Sequence, residues 1–354
     1  MKDDTRPWGW ESYITSLGLM GVTTVRLISQ SGEFVISPPY CKKSEHIHTI
    51  FLIACAGIGN VIQMTSLLSA AVQHGMHTAF CPLFDSGGSL TRLFKNALPG
   101  LALIEPEDAL QFKADVRLNI ECRAHIHNED FFYSPYREPM HKNEGEAYAD
   151  FFKNVTGIKP FVEETFVGGL DVSLSEQFKQ RIVLCPGSKP GWDSKRWPYF
   201  SQLAKQLDNP IILCQQMDID AYSTLNFLST LCDCGATIIK NADLPEVAAI
   251  LRHAKLVIAN DCGLAHIAVA ANAPTIILFG PSSIKKNKPL KKNAHCLSLG
   301  LDCQPCQGKH NGPGRLKPWD YACTLKYACL KNMSVDMVLS AVDRICPSLA
   351  ANYI

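Results

Sequence analysis

A short polar segment between two apolar runs carries the side chains best suited to chemistry. Asp261, Gly263 and His266 lie in the sequence NDCGLAH, and Lys195 lies upstream in the small-residue loop PGSKPGWDSKRWP (residues 186–198). A helix that opens in this segment would direct free N–H groups and the positive end of its dipole at an anion. A fixed cation and a helix N-terminus are also what stabilises charge on a departing diphosphate. The pattern predicts a site for a phosphate-containing ligand.

The residues around this segment predict a parallel sheet. Lys255 to Ala259 and Thr275 to Phe279 are nearly unbroken apolar runs rich in Ile and Val, as in strands buried on both faces. Leu264 to Asn272 predicts a short helix, so the stretch is predicted to be a strand, helix and strand unit. Ligands of such sheets bind beyond the carboxyl ends of the strands, where Asp261 and His266 fall.

A second glycine-rich turn occurs earlier in the chain. Thr49 to Ala56 predicts a buried strand, and Gly57-Ile58-Gly59 predicts a turn before a helix that ends near His74. Asn60 is predicted to cap that helix. The glycines could cradle a phosphate or could serve only the close packing of strand on helix, and the spacing leaves both open.

Four cysteines near the C-terminus have a spacing that could hold a metal. In Cys303-x2-Cys306-x16-Cys323-x5-Cys329, two pairs flank a loop, so four thiolates could converge on one tetrahedral ion. The loop has few apolar residues, and a metal would supply it with folding energy. Spacing allows a structural Zn, and four free thiols are the alternative.

Length and composition describe an ordinary globular protein. The chain has 354 residues, a hydrophobic fraction of 47% and a net charge of +1. This length predicts about two domains, and the charge gives no case for a nucleic-acid partner. No apolar run reaches the roughly 18 residues of a membrane helix, and the start lacks the apolar core of a signal peptide. We therefore predict a cytoplasmic protein whose cysteines are reduced.

Residues 1–48 differ from the rest. Val25 to Ile28 and Glu33 to Ser37 predict two short strands. The sequence RPWGWESY (Arg6 to Tyr13) resembles the opening of the cupin domain of mannose-6-phosphate isomerases. Of the metal ligands of those cupins only Glu45 has a counterpart here. The resemblance implies a degenerate, truncated cupin-like β extension without isomerase activity, and a simple β extension is the alternative.

Three motifs together resemble glycosyltransferase family 9, the lipopolysaccharide heptosyltransferases and their relatives. They are GIGN at residues 57–60, PGS…KRWP at 186–198 and NDCGLAHIAVA…PTIILFGPS at 260–282. With the β-rich start and the cysteine cluster, the likeness narrows to the autotransporter heptosyltransferases, which modify serines of adhesin proteins.

The resemblance implies an α/β architecture of the GT-B class, in which two Rossmann-like domains face each other across a cleft. Residues 49–165 would form the acceptor domain and residues 178–335 the donor-binding domain, with a Cys-rich loop at 296–330. Residues 336–354 would form a C-terminal helix that returns to the first domain. The resemblance also implies an inverting reaction that needs no metal, iron on the cysteine cluster, and a homo-oligomer.

Individual roles follow from the same resemblance. The acceptor-side loop would be formed by Gly57 and Gly59. The donor nucleotide-sugar would be bound by these residues: Gly187, Ser188, Lys195, Asp261, Gly263, Leu264, Ala265 and His266. Among them Lys195 would neutralise the diphosphate and Asp261 would accept hydrogen bonds from sugar or ribose hydroxyls. Without the motif, Asp261 and His266 would be a helix cap and a core histidine.

Asn60 departs from the family pattern, because the heptosyltransferases usually have an Asp there as general base. An amide cannot accept the acceptor's proton. Either Asn60 positions the acceptor while Asp85, Glu121 or Asp130 serves as the base, or catalysis is altered or lost.

These observations predict an inverting glycosyltransferase that transfers a sugar, by resemblance heptose from ADP-heptose, to serines of an autotransporter adhesin. A lipopolysaccharide-core acceptor is the alternative within the same class. A non-catalytic GT-B module that binds a nucleotide-sugar or a glycan is the alternative from another class.

Overall fold

The computed structural model describes most of the chain from residue 47 onward. The described residues are 26–27, 47–83, 88–120, 130–133, 141–168, 178–189, 191–222, 227, 231, 233–307 and 323–347. They belong to two compact units that divide near residue 170. None of the helices in these ranges is long and apolar enough to cross a membrane.

The first unit contains a six-stranded sheet in the order β1-β6-β5-β2-β3-β4, and every pair of neighbours is parallel. Its strands are β1 (Arg26–Leu27), β2 (Thr49–Ala54), β3 (His77–Pro82), β4 (Leu101–Leu103), β5 (Val116–Ile120) and β6 (Asp130–Tyr133). Its helices are α1 (Ile58–Gln73), α2 (Ser89–Leu93) and α3 (Glu144–Thr156).

The second unit contains another six-stranded parallel sheet, in the order β12-β11-β10-β7-β8-β9. Its strands are β7 (Ile182–Cys185), β8 (Ile211–Cys214), β9 (Thr237–Lys240), β10 (Leu256–Asn260), β11 (Thr275–Leu278) and β12 (Ala294–Leu297). Its helices are α4 (Phe200–Ala204), α5 (Gln216–Ala221), α6 (Leu244–His253), α7 (Gly263–Ala270), α8 (Ile284–Asn287), α9 (Ala328–Lys331) and α10 (Val335–Ile345). Asp193–Lys195 forms one turn of 3₁₀ helix.

Both sheets change direction of winding at a central strand. In the first sheet, β2 has β3 on one side and β5 on the other; in the second, β7 has β8 on one side and β10 on the other. Side chains of these strands are almost wholly buried, because helices lie along parallel sheets on both faces. The crevice at such a switch point is where parallel α/β sheets bind ligands.

The segment from Ala328 to Ile345 completes the core of the second unit. Val338, Ala341 and Val342 of α10 pack in the same apolar cluster as Trp197 and Leu330. These buried side chains of α10 therefore belong to the core of the second unit. The return of this helix to the first domain stays a prediction.

Several predictions for single elements can now be compared with the structure. The strand, helix and strand around Asp261 are present within two residues of their predicted ends. Asn60 is not the cap of α1; Gly57 is, and Asn60 lies in the first turn. Within residues 1–48, only Arg26–Leu27 and 47–48 are described, and the former pair lies next to β6. The cupin-like resemblance falls outside the described residues.

Candidate active site

The central ion pair of the site joins Lys195 to Asp261. Lys195 Nζ lies 2.6 Å from Asp261 Oδ2 and 3.2 Å from the Asp261 carbonyl oxygen. Both side chains are largely buried, with 11% and 5% of their surface exposed. The ammonium also lies 4.9 Å from the centre of the Trp192 ring, a cation–π contact. An ammonium has three protons, and these two bonds to Asp261 leave one for a ligand oxygen.

Asp261 is ionised in this environment. Burial alone would raise the pKa of its carboxyl group, but the charge of Lys195 and the hydrogen bond from it outweigh burial, so the pKa is lowered. The next residues begin α7, whose N-cap, Cys262, makes no side-chain capping bond. The first turn is formed by Gly263, Leu264 and Ala265, and the Ala265 N–H donates to the carbonyl of Cys262 at 3.1 Å.

His266 is a buried, neutral imidazole. Burial is the main cause that lowers its pKa from 6.5 to about 4; the charge of Lys195 adds to it and that of Asp261 opposes it. Its Nδ1 atom has no hydrogen-bond partner among the described residues. His266 is buried, as the core-histidine alternative expects, but its Nδ1 atom makes no bond to the described backbone.

Three buried polar atoms of this unit have no hydrogen-bond partner in the described part of the chain: Ser194 Oγ, Ser282 Oγ and His266 Nδ1. Ser194 precedes Lys195, and the Ser282 hydroxyl is near enough to Asp261 to help lower its pKa. Because buried polar groups in proteins are nearly always hydrogen-bonded, this group of atoms fits a ligand rich in oxygen.

The loop after β7 is held in shape from two sides. Asn260, at the end of β10, donates from Nδ2 to the carbonyl of Pro186 at 2.6 Å and accepts at Oδ1 from the N–H of Trp197 at 3.0 Å. Arg196 donates to the carbonyl of Ser188 and makes a 2.7 Å ion pair with Asp218. The loop that carries Gly187, Ser188 and Lys195 is thereby fixed against β10.

Gly187 is a glycine because Asp218 lies against it. A Cβ atom on Gly187 would lie 2.7 Å from Asp218 Oδ2, a distance that real Cβ atoms do not reach. The Ser188 hydroxyl donates to the carbonyl of Trp192 at 3.0 Å and so closes the loop. The sequence predicted Gly187 and Ser188 as phosphate contacts and gave no sign of Asp218 or Asn260, which form the frame of the loop.

A second support for Asp261 comes from the chain beyond β11. Asn287 Nδ2 lies 3.4 Å from Asp261 Oδ2 and 3.2 Å from Gln307 Oε1. Gln307 Oε1 also accepts from the N–H of Ser283 at 2.9 Å, which satisfies the start of α8. The cysteine-rich segment is therefore connected to the ion pair through Gln307 and Asn287.

The residues predicted on the acceptor side lie at the carboxyl ends of the strands of the first sheet. Gly57 and Gly59 follow β2 and begin α1, with Gly57 exposed. Asn60 Nδ2 donates to Glu144 Oε2 at 2.6 Å and to Tyr148 Oη at 3.0 Å. Glu144 is 84 residues away, and the sequence gave no signal for this pair.

Asp130 is not a free base. It is fully buried in an ion pair of 2.6 Å with Arg117, and it accepts a further bond from Asn119. It begins β6 opposite Arg117 of β5, so it lies toward the amino ends of the strands. Asn60 lies beyond the carboxyl ends, at the other edge of the same sheet. Asp85 and Glu121, the other predicted candidates, lie outside the described residues.

The four cysteines lie near one another without forming a ligand set. Burial, and then the proximity of Cys306, Cys323 and Cys303, raises the pKa of Cys329 to about 11. Two of the sulfur atoms hydrogen-bond to the backbone: Cys306 Sγ to the carbonyl of Cys303, and Cys323 Sγ to the N–H of Tyr327. Over the described ranges, no three His, Cys, Asp or Glu side chains stand where they could hold a metal ion. The predicted four-thiolate site is therefore not formed by the described residues in this geometry.

Comparison with known proteins finds a match over the part of the chain that carries the ion pair. Residues 165–316 match the family model of glycosyltransferase family 9 (heptosyltransferase). Lipopolysaccharide heptosyltransferase 2 of Salmonella typhimurium is 31% identical over 139 residues, which cover 36% of this chain and 39% of the relative. The chain thus spans about two-fifths of the length of the curated relatives it matches.

Solved structures extend the likeness to the fold of both units. The ADP-heptose lipopolysaccharide heptosyltransferase II of E. coli has a TM-score of 0.61 at 18% identity, covering 85% of this chain and 99% of that one. The iron-containing dodecameric glycosyltransferase TibC of enterotoxigenic E. coli has a TM-score of 0.58 at 11% identity, covering 87% and 81%. TibC has also been solved in complex with ADP-D-β-D-heptose. The predicted GT-B fold class is confirmed.

Proposed function

We propose that this protein is an inverting glycosyltransferase that takes a sugar from a nucleoside-diphosphate donor and transfers it to a hydroxyl group. The observation that carries the proposal is the Lys195–Asp261 ion pair at the uncapped start of α7, next to the clamped loop of Gly187. This is a cation and a helix N-terminus at one point, where a departing diphosphate would need both.

In this proposal each donor-site residue has a distinct task. The third proton of Lys195 and the N–H groups of the first turn of α7 bind the diphosphate, and they bind it more tightly as its charge grows. Asp261 stays ionised and accepts hydrogen bonds from donor hydroxyls. His266, neutral above about pH 4, offers Nδ1 to the ligand without adding a charge.

ADP-heptose is the proposed donor, and heptose is the sugar transferred. The support is the match of residues 165–316 to the heptosyltransferase family and the likeness to proteins described as ADP-heptose transferases or solved with ADP-heptose. Calorimetry with different nucleotides and with ADP-heptose can test this donor.

For the acceptor we propose serines of an autotransporter adhesin, reached in the cytoplasm. The motifs and the cysteine cluster support it through the resemblance to autotransporter heptosyltransferases, and the likeness to an iron-containing, dodecameric glycosyltransferase agrees with it. By the same likeness we propose a homo-oligomer. A lipopolysaccharide core is the second candidate, because the relatives in sequence are described as lipopolysaccharide heptosyltransferases.

We further propose that Cys303, Cys306, Cys323 and Cys329 hold a structural iron or zinc ion. Four sulfur donors suit either metal, and the sulfurs are already neighbours. Binding would require loss of the thiol protons and release of the backbone bonds of Cys306 and Cys323. The metal would order the segment that leads to Gln307, and it has no part in the transfer itself.

Calorimetric titration with ADP, GDP, UDP and ADP-heptose tests the donor site. We expect selective binding of ADP and ADP-heptose, weakened about 10- to 100-fold in Lys195→Ala, since a charged hydrogen bond is lost. Lys205→Ala, which removes an exposed lysine of the same unit, is the matched control and should bind as the wild type does. Preference for GDP or UDP would refute the ADP-sugar donor, and no binding of any nucleotide would favour a non-catalytic glycan-binding module.

The acceptor is tested separately by mass spectrometry after incubation with ADP-heptose. A heptose adduct on an adhesin fragment, lost when its serines are replaced by alanine, is the expected result. An adduct on lipopolysaccharide core alone would establish the second candidate.

A further inference from the structure

The start of α3 is built against the start of α1 at the switch point of the first sheet. Asn60 lies one turn into α1, and its amide bonds Glu144, the first residue of α3. One turn further along the same face of α1, Gln63 Oε1 accepts from the N–H of Gly145 at 3.0 Å. Asn143 Oδ1 accepts from that same N–H at 2.8 Å. Two helices are thereby joined through polar groups at one point.

This arrangement fixes Glu144 more tightly than a surface carboxylate. Only 8% of Glu144 is exposed, and the backbone on its C-terminal side is held by Gln63 and Asn143. Tyr148, one turn along α3 and fully buried, bonds the same Asn60 amide at 3.0 Å. The glycine turn above the pair is open, with Gly57 exposed and Asn60 half-buried. A bound hydroxyl group could reach the carboxylate from that side.

Glu144 has the chemistry that Asn60 lacks. Asn60 directs its N–H₂ group at the carboxylate, so the amide acts here as a donor that orients Glu144. A carboxylate can accept a proton, whereas an amide cannot. Asp130, the other carboxylate of this sheet considered above, lies at the opposite edge in an ion pair with Arg117.

We propose that Glu144 is the general base of the transfer reaction and that Asn60 is the positioning residue that orients it. The inference rests on the proposed glycosyl transfer. In the step, the acceptor O–H gives its proton to the Glu144 carboxylate as its oxygen bonds to the anomeric carbon. The bond from that carbon to the diphosphate breaks, and the electron pair leaves with the nucleoside diphosphate. Glu144 then returns the proton to solvent.

The test measures ADP release from saturating ADP-heptose, with water as the acceptor, for the wild type and three variants. Glu144→Gln keeps a carbonyl oxygen for the Asn60 bond but cannot take a proton. Glu146→Gln is the matched control, because it makes the same substitution in the same helical turn at an exposed position. The third variant, Asn60→Asp with Glu144→Gln, exchanges carboxylate and amide across the same hydrogen bond.

For Glu144→Gln we expect kcat to fall about 10²- to 10⁴-fold, with ADP affinity within twofold of the wild type by calorimetry. Glu146→Gln should be unchanged, and the exchange variant should recover at least tenfold over Glu144→Gln. A purely structural role for Glu144 predicts no such recovery. A Glu144→Gln variant within threefold of wild-type turnover would overturn the inference and leave the proposed function intact. A wild type that binds ADP-heptose but never releases ADP would overturn both.

Discussion

Lys195 Nζ donates to both the side chain and the main chain of Asp261, at 2.6 and 3.2 Å. One ammonium therefore fixes the carboxylate and the turn from β10 into α7 at once. The proposed donor site is therefore organised without a ligand, which would lower the free-energy cost of ordering it on binding.

This pair gives the first prediction, for Lys195→Met alone and together with Asp261→Asn. The single variant leaves a buried carboxylate without its counter-ion, so we expect the free energy of unfolding to fall by about 3–5 kcal/mol. The double variant removes both charges and should recover most of that loss in urea unfolding. Calorimetry should show that neither variant regains wild-type binding of ADP, because both lack the Lys195 ammonium. Equal stability of the single and double variants would contradict the coupling.

Gly187→Ala should damage the loop through Asp218. The new Cβ would lie 2.7 Å from Asp218 Oδ2, and this carboxylate is held in place because Arg196 binds its Oδ1 and the N–H of Gln215 binds its Oδ2. We therefore expect a loss of about 1–3 kcal/mol in unfolding free energy and weaker ADP binding. Ser188→Ala removes only a hydroxyl that bonds the loop backbone, and its stability should change by about 1 kcal/mol or less. Gly187→Ala with wild-type stability would show that Asp218 can move aside.

His266 should make stability fall on acidification. Its pKa is about 4 when folded and 6.5 in the reference state, so between these pH values the unfolded chain binds more protons and the folded state loses stability as pH falls. The contribution of His266 to the free energy of unfolding is about 3 kcal/mol. It is fully present above pH 6.5 and is lost by about pH 4. Asp261 adds loss in the same direction below its unfolded pKa.

Urea unfolding of wild type and His266→Gln, at intervals from pH 7 to pH 4, measures this term. The variant cannot titrate there, so its stability should decline less steeply than that of the wild type. If the free energy of unfolding falls equally steeply with pH in both proteins, folding does not lower the pKa of His266.

Gln307 should support the donor site through Asn287. Gln307→Ala leaves the Ser283 N–H and the Asn287 amide without their common acceptor, and we expect a loss of about 1–3 kcal/mol. Gln307→Glu keeps the acceptor but adds a negative charge near Asp261. Because Gln307 is buried, the unpaired charge should also lower stability in thermal unfolding, and it should weaken ADP binding. If both variants bind ADP as the wild type does, the connection has no functional effect.

The cysteine cluster predicts a bound metal that depends on Cys303. Elemental analysis of protein purified without chelator should find about one iron or zinc per chain in the wild type and little in Cys303→Ser. Cys234→Ser changes a thiol outside the cluster and should keep the metal. Metal-free wild type whose stability is unchanged by added iron or zinc would refute the site.

The sequence predicted the elements that depend on local signals. The strand, helix and strand around Asp261 are marked by apolar runs, a polar turn and a glycine, all within a short stretch. The N-cap of α6 depends on an equally local signal, since Asp243 accepts from the N–H of Glu246, three residues further on. Lys195 and Asp261 were both identified, although only the fold shows that they pair.

The residues that sequence alone missed act across long separations. Asn260 reaches Pro186, and Asp218 lies against Gly187, through sheet neighbours that no local pattern reveals. Glu144 meets Asn60 only because α1 and α3 pack together. Strand β6 is the four residues Asp130–Tyr133. Four residues between polar neighbours are too few for a clear strand pattern.

The placement of α9 and α10 also has a consequence for the order in which the chain folds during synthesis. The strands of the first sheet and α3 all precede residue 157, so that unit can collapse while the remainder is still being translated. The second unit cannot: Trp197 Nε1 donates to the carbonyl of Met333, and Leu330 fills the space beside Gly280. The loop of the donor site therefore keeps an open apolar flank until residues 328–345 have left the ribosome, which makes this unit the one that needs protection from aggregation.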